Sequence, residues 1–204
     1  MRLPSSYFYW ITAWAKYVAG GLVMPIERVL CRVGERASFD NVRIADLNDG
    51  KLATDDSAVR IVIDALRLIK ESDPRRWRRL RSEVKWILLV PTTGWSGYTR
   101  VSRTCCFDLR AAILRGCPHE HLAEILACVL VHESTHGVLC RKGVDQTPKS
   151  YHRVELLCCK EMDRFAVRCG SPFRDWVKLA SSRRDSLNTR LLATIDMIRS
   201  QTSK

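Results

Sequence analysis

Apolar residues recur at the spacing of an α-helix along much of the chain, and this pattern predicts a mainly helical fold. A first helix is indicated after Thr54, a residue suited to the N-cap, with an apolar stripe that runs from Val59 to Ile69. The pair Asp73-Pro74 ends this helix and can begin another, because proline is well accommodated at the first helical position.

Two longer helices are predicted in the second half of the chain. The first covers about residues 118–142 and contains the sequence His132-Glu133-Ser134-Thr135-His136. The second covers about residues 147–169, and Gly170 follows it as a residue that commonly ends helices. One or two further amphipathic helices are predicted over residues 172–200.

Strands are predicted between the two groups of helices. Trp86 to Val90 is a short apolar run closed by a proline, and Tyr98 to Leu109 is rich in β-branched, aromatic and cysteine residues, so the two segments are expected to pair. Residues 33–53 are polar and contain a turn signal, and no strand is predicted there. The expected class is therefore α+β: a mainly helical core, with a small antiparallel or mixed sheet that precedes the histidine-bearing helix.

The N-terminal segment differs in character from the rest of the chain. Residues 7–26 are mostly apolar and aromatic, with Lys16 in the middle. The segment suits a packed helix, a helix that lies in a membrane interface, or a membrane span. We therefore separate residues 1–30, a hydrophobic helix, from a single domain over residues 31–204.

Composition narrows the environment and the partners. The 204 residues carry a net charge of +12 and include nine cysteines without a C-x-x-C pair, which favours reduced thiols and a cytoplasmic location. The densest charge block, Arg75–Arg81, is interpreted as a solvated helix face with Trp77, Leu80 and Val84 pointing inward. It could also contact an anionic membrane surface together with the N-terminal helix, whereas nucleic acid is a less favoured partner.

The candidate chemistry lies in the predicted helix over residues 118–142. His132 and His136 are four residues apart, so a helix places both imidazoles on one face, within reach of a single metal ion. Glu133 is one step around the helix and can take a proton from water activated by that ion. This H-E-x-x-H arrangement predicts a zinc hydrolase with Glu133 as general base.

A catalytic zinc ion needs a third protein ligand. The extended motif that would supply a later histidine is not present, since Leu139 and Lys142 stand at its glycine and histidine positions. Glu155, on the following helix, is the preferred third ligand. The rival residues are His152, Glu161, Cys140 and Cys159.

These residues carry a resemblance to a known family. The segments Val131–Leu139 and Arg153–Cys158, with the upstream Thr104–Asp108, resemble the gluzincin class of zinc metallopeptidases, and more narrowly a group of small uncharacterised bacterial proteins with an H-E-x-T-H motif. The resemblance covers about residues 98–168. It implies a zinc-peptidase core with an edge strand above the active helix. Gluzincins often have an aspartate four residues after the liganding glutamate, where this chain has Cys159.

The expected function is a zinc metallopeptidase acting on a peptide or protein substrate. Tyr98, Tyr151, His152 and Arg153 are candidate donors to the developing oxyanion, and Asp108 and Asp163 are candidates for orienting a zinc histidine. The strand around Arg103–Phe107 could bind an extended peptide by backbone pairing. The alternatives are a basic adaptor without catalysis, bound to a membrane or nucleic acid, and a zinc hydrolase of a non-peptide substrate.

Overall fold

A computed structural model describes residues 29–47, 58–90, 96–109, 119–144 and 150–170. The complete elements in these ranges are β1 (Glu35–Phe39), β2 (Val42–Asp46), α1 (Ala58–Ser72), α2 (Pro74–Glu83), β3 (Trp86–Leu89), β4 (Gly97–Thr99), β5 (Thr104–Phe107), a 3-10 turn (His119–His121), α3 (Leu122–Arg141) and α4 (Tyr151–Arg168). The predicted α+β class is confirmed. The helices predicted over residues 7–26 and 172–200 and the cap predicted at Thr54 lie outside the described residues.

The strands form one five-stranded mixed sheet in the order β1-β2-β3-β5-β4. The three inner strands run parallel, with Ile44 beside Ile87 and Ile87 beside Cys105, while β1 and β4 are antiparallel to their neighbours. The inner strands are buried along most of their length. Their near-continuous apolar sequences follow from this, because parallel strands are usually covered on both faces.

The β1–β2 hairpin was not predicted from the sequence. Its turn residues Asp40 and Asn41 have φ values of 47° and 70°, a conformation that aspartate and asparagine tolerate better than most residues. Part of the polar character of residues 33–53 comes from β1, because this is an edge strand with a largely exposed pattern. Its alternation was too weak to indicate a strand.

The prediction of one strand from Tyr98 to Leu109 was wrong. The chain forms β4, reverses through residues 100–103, and returns as β5, with Arg103 at a φ of 57° before the second strand begins. The pairing of this region with Trp86–Leu89 is confirmed, but β5 alone makes it, in parallel. The reversal was missed because residues 100–103 contain neither glycine nor proline.

The main apolar core lies between the sheet and the helices. The stripe of α1 includes Val62, Leu66 and Ile69, all fully buried with Ile44 and Ile87 of the sheet. Each such side chain contributes about 1.5–3 kcal/mol of burial free energy. A smaller cluster of buried residues is separate from this core, and it contains Cys31, Ala45, Leu88 and Cys106.

The junction before α2 is built as the sequence predicted. Asp73 caps the helix by accepting a hydrogen bond from the backbone N–H of Arg76 at 3.0 Å, and Pro74 occupies the first turn. Burial raises the pKa of Asp73, but the backbone and guanidinium of Arg76, with Arg168 nearby, bring that pKa below its ordinary value. Trp77 and Leu80 of the basic block are buried, as predicted for the inward face of this helix.

Helix α3 is the central helix of the fold and carries the candidate site. It contacts the other three helices as well as β4 and β5. The segment His119–Arg141 is long and apolar enough to cross a membrane by length and composition, but 61% of its apolar window is buried inside the protein. Its apolar character therefore fits a core helix. The predicted C-terminal ends of α3 and α4 are confirmed, with Gly143 and Gly170 at φ values of 74° and 64°. The predicted start of α4 at about residue 147 is wrong, because the helix begins at Tyr151.

Candidate metal centre

Two histidines on α3 form the centre of the site. His132 and His136 are one helical turn apart, and their Nε2 atoms are separated by 3.2 Å. The side chain of His132 is 2% exposed and that of His136 is 12% exposed. Both imidazoles therefore direct the same nitrogen to one point inside the protein.

Glu155 reaches that point from the neighbouring helix α4. Its Oε2 atom lies 3.4 Å from Nε2 of His132, and its Oε1 atom lies 3.2 Å from Nε2 of His136. Zinc bonds to nitrogen and oxygen are about 2.0–2.1 Å long, so the donor atoms of a tetrahedral site lie about 3.3–3.4 Å apart. The distance between the two Nε2 atoms, and the distance from each of them to one oxygen of Glu155, are close to this requirement, so the donor set fits a zinc ion.

The charge of the buried groups also fits a cation. Glu133, Glu155 and His132 are all buried. A buried carboxylate is costly unless it is paired or bound to a metal. A divalent cation between the imidazoles and Glu155 would offset the negative charge of Glu155.

Glu133 is oriented by a residue outside the motif. The hydroxyl of Ser96 donates a hydrogen bond to Oε1 of Glu133 at 3.3 Å. Ser96 immediately precedes β4, so the edge of the sheet lies against the motif. This contact was not predicted, because Ser96 is a single serine in a turn-rich segment and belongs to no motif or periodic pattern.

Tyr98 fixes β4 against α3. A Cβ atom built on Gly137 would lie 3.0 Å from the Cζ and Oη atoms of Tyr98, so the glycine allows the ring to approach the helix. The Tyr98 hydroxyl donates to the carbonyl oxygen of Glu83 at 3.1 Å. Burial, with smaller contributions from Cys105 and Glu83, raises the pKa of Tyr98 to about 12. The structure therefore places this predicted oxyanion donor beside the motif, with its proton directed to α2.

The other predicted donors lie at the beginning of α4. His152 and Arg153 are exposed in its first turn. The side chain of Tyr151 lies outside the described residues. Their exposure separates His152 and Arg153 from the buried cluster of His132 and Glu155.

The rival third ligands occupy different surroundings. Glu161 forms ion pairs with Arg76 at 3.0 Å and Arg164 at 2.7 Å, and these guanidinium groups lower its pKa despite its partial burial. Cys140 is half-buried near the end of α3. Cys159 lies 3.9 Å from Nδ1 of His132, the ring nitrogen that does not face Glu155.

Cys159 is therefore the residue whose side chain lies beside the outer nitrogen of His132. A thiol is a weaker hydrogen-bonding group than the aspartate that the resemblance would lead one to expect there. Asp108 and Asp163, the other candidates for this role, are half-buried.

Cys158 is a donor that the sequence analysis did not include. Its Sγ atom and one ring nitrogen from each of His132 and His136 lie within 4.8 Å of one another, so this group could hold a metal ion. Cys158 is fully buried. The signal for it was its spacing: it lies three residues after Glu155, on the same face of α4.

The prediction that the strand around Arg103–Phe107 binds an extended peptide by backbone pairing is wrong. β5 lies between β3 and β4, so hydrogen bonds to neighbouring strands occupy both of its sides. Within the described sheet, β4 is the edge strand on this side. It also contacts α3.

A separate groove lies beside the site, between α2, α3 and α4. It has a volume of about 410 Å³. The residues that line it do not include His132, Glu133, His136 or Glu155. Its lining is strongly basic, and the cations are Arg79, Arg141, Lys142, Lys160 and Arg164. Glu161 is the acidic residue in the lining.

Comparison with known proteins identifies no relative. No family model, curated protein or solved structure matches this chain. The resemblance to gluzincins therefore stays a prediction that depends on the motif residues and their geometry.

Proposed function

We propose that this protein is a zinc-dependent metallopeptidase whose metal ion is held by His132, His136 and Glu155. The observation that carries the proposal is the convergence of two imidazoles and one carboxylate from two helices. The two Nε2 atoms are 3.2 Å apart, and each of them lies 3.2 or 3.4 Å from one oxygen of Glu155. A histidine pair that binds no metal would be expected on the protein surface. It would not be expected to be buried against a buried carboxylate, because burial of such groups costs free energy.

The residues around the ligands fit hydrolysis. Zinc, when bound, polarises a carbonyl group and makes water more acidic. Glu133 is positioned by its helix next to His132, and Ser96 holds one carboxylate oxygen. Glu133 accepts a proton from the attacking water and returns it to the leaving amine as the C–N bond breaks.

The edge of the sheet favours a peptide as the substrate. β4 is antiparallel to β5, contacts α3, and directly follows Ser96. An extended peptide can add to the outer side of such a strand through backbone hydrogen bonds. This arrangement would place a peptide carbonyl beside the motif helix, which favours peptides over other zinc-hydrolase substrates.

The first experiment combines metal analysis with one conservative substitution. The purified protein should contain about one zinc ion per chain. A chelator should remove the zinc together with the peptidase activity, and added zinc should restore both. Glu133→Gln should keep the zinc and lower turnover by about 10²- to 10⁴-fold. Glu124→Gln, more than two turns away on the same helix, is the control. A fully active Glu133→Gln variant would exclude the general-base role.

The basic groove supports a second candidate function, binding of an anionic membrane surface. Five cationic side chains line it against one glutamate, although Arg141 and Arg164 also pair with Glu83 and Glu161. Binding to vesicles with an anionic lipid should then weaken steeply with added salt. If Lys142→Glu with Lys160→Glu leaves vesicle binding unchanged, the groove does not carry it.

A further inference from the structure

We infer that Cys158 is a fourth ligand of the same metal ion, so that the site can close around the ion without water. This inference rests on the proposed metal site. Its starting point is the grouping of Cys158 Sγ with a ring nitrogen from each of His132 and His136 within 4.8 Å. Glu155 is not a member of that group, but its oxygens lie 3.4 and 3.2 Å from the Nε2 atoms of the same two histidines. The four residues would supply two nitrogens, one oxygen and one sulfur, a donor set that zinc accepts.

The surroundings of Cys158 distinguish it from an ordinary core cysteine. It is fully buried, yet it belongs to neither of the two apolar clusters of the fold. Cys159 behaves in the opposite way: it is half-buried, packs against the main apolar core, and approaches His132 at Nδ1. The two adjacent thiols therefore have different roles, and only Cys158 belongs to the group that could hold the ion.

The geometry requires only a small movement. Zinc–sulfur bonds are about 2.3 Å long, so a thiolate in a tetrahedral site lies about 3.5 Å from the nitrogen ligands. Since the separation is at most 4.8 Å, the sulfur has to approach by about 1.3 Å or less. On ligation the S–H bond is replaced by a sulfur–metal bond, and one proton is released to solvent.

A fourth protein ligand has a consequence for regulation of the peptidase. Structural zinc sites have four protein ligands, whereas catalytic sites keep one position open. Ligation by Cys158 would occupy the open position, so the peptidase activity of the wild-type protein would come from the molecules in which the thiol has left the ion. Departure of the thiol would open it, so removal of the thiol should weaken metal binding while it raises activity.

Cobalt(II) provides a spectroscopic test that does not depend on activity. Tetrahedral cobalt gives strong visible absorption, and a thiolate ligand adds a charge-transfer band in the near ultraviolet. We expect both in the wild-type protein, loss of the near-ultraviolet band alone in Cys158→Ala, and both features in the matched control Cys159→Ala. Cys158→Ser, which retains size and polarity, should also lose the band, and circular dichroism checks that each variant is folded.

Zinc affinity gives a second measurement on the same variants. Loss of a residue that only hydrogen-bonds to a metal ligand weakens metal binding by about 10- to 100-fold. Cys158→Ala should weaken zinc binding by more than this, whereas Cys159→Ala should stay within this range. Visible cobalt absorption without the near-ultraviolet band in the wild type would overturn the inference and leave the metal site standing. A band that survives in Cys158→Ala would also overturn it. Absence of any cobalt binding would overturn both the inference and the proposed function.

Discussion

Replacement of Glu155 by glutamine tests the metal site most directly, because the change keeps the shape of the side chain and removes its charge. Both carboxylate oxygens of Glu155 face the histidine Nε2 atoms, at 3.2 and 3.4 Å. Glutamine keeps one oxygen but places an NH₂ group in the other position, against a cation. The variant should therefore bind zinc at least about 100-fold more weakly. This is the upper end of the range for loss of a residue that only hydrogen-bonds to a metal ligand, and loss of a ligand itself should cost no less.

The magnitude can be read as a shift in melting temperature. A ligand at 100 times its Kd stabilises the native state by about 2.7 kcal/mol. For a chain of about 150–250 residues, each kcal/mol shifts Tm by about 2–4 °C, so saturating zinc should raise the wild-type Tm by about 5–10 °C. At the same zinc concentration a 100-fold weaker site leaves at most about 0.4 kcal/mol, or about 1 °C.

The assay is thermal unfolding with chelator and with zinc, followed by circular dichroism. Glu161→Gln, on the same helix, is the matched control, because Glu161 forms ion pairs with Arg76 and Arg164 and lies outside the cluster. This control should lower Tm under both conditions and keep the zinc-dependent difference. A zinc shift of equal size in wild type and Glu155→Gln would refute the assignment of Glu155 as a ligand.

Two further predictions concern the structure that supports the site. Because the folded pKa of Asp73 is lowered, its stabilisation is present above the unfolded pKa of about 3.9 and is lost as pH falls through the folded value. In urea titrations, Asp73→Asn should lose less stability below about pH 4 than the wild type does. Asp73→Ala should cost about 1 kcal/mol more than Asp73→Asn, because it also removes the helix cap. The same loss of stability at acid pH in Asp73→Asn and wild type would contradict this. Gly137→Ala should place a methyl group against Tyr98 and destabilise the protein by about 1 kcal/mol, since overpacking of about 1–3 kcal/mol exceeds the gain in helix propensity. The combination with Tyr98→Ala should cost less than the sum of the single changes, and strict additivity would show that the two residues do not interact.

Local signals predicted the helices well because the relevant forces act within a few residues. Asp73 and Pro74 act on the first turn of α2, and Gly143 and Gly170 lie directly after the helices that they end. The sheet was predicted less well because its order depends on contacts between distant segments. Nothing near Tyr98 indicates that β4 would form the edge, or that β5 would pair in parallel with β3.

The same distinction applies to the candidate site. His132, Glu133 and His136 follow from one helical motif, whereas Glu155 required an assumption about how the next helix returns. The observed distances agree with that assumption. Ser96 and Cys158 were missed because their roles depend on the packing of β4 and α4 against α3, which has no local sequence signal.

In the proposed site, the open and closed forms differ by the position of one sulfur atom. The histidines and Glu155 alone would leave a position open for water, and Glu133 would then lie where a proton acceptor is needed. The addition of Cys158 completes a tetrahedral shell and removes that position. Since Glu155 and Cys158 are successive residues on one face of α4, a small rotation of this helix against α3 would move the thiol relative to the histidines. In the proposed site, the packing of α4 against α3 would therefore set whether the position for water is open or closed.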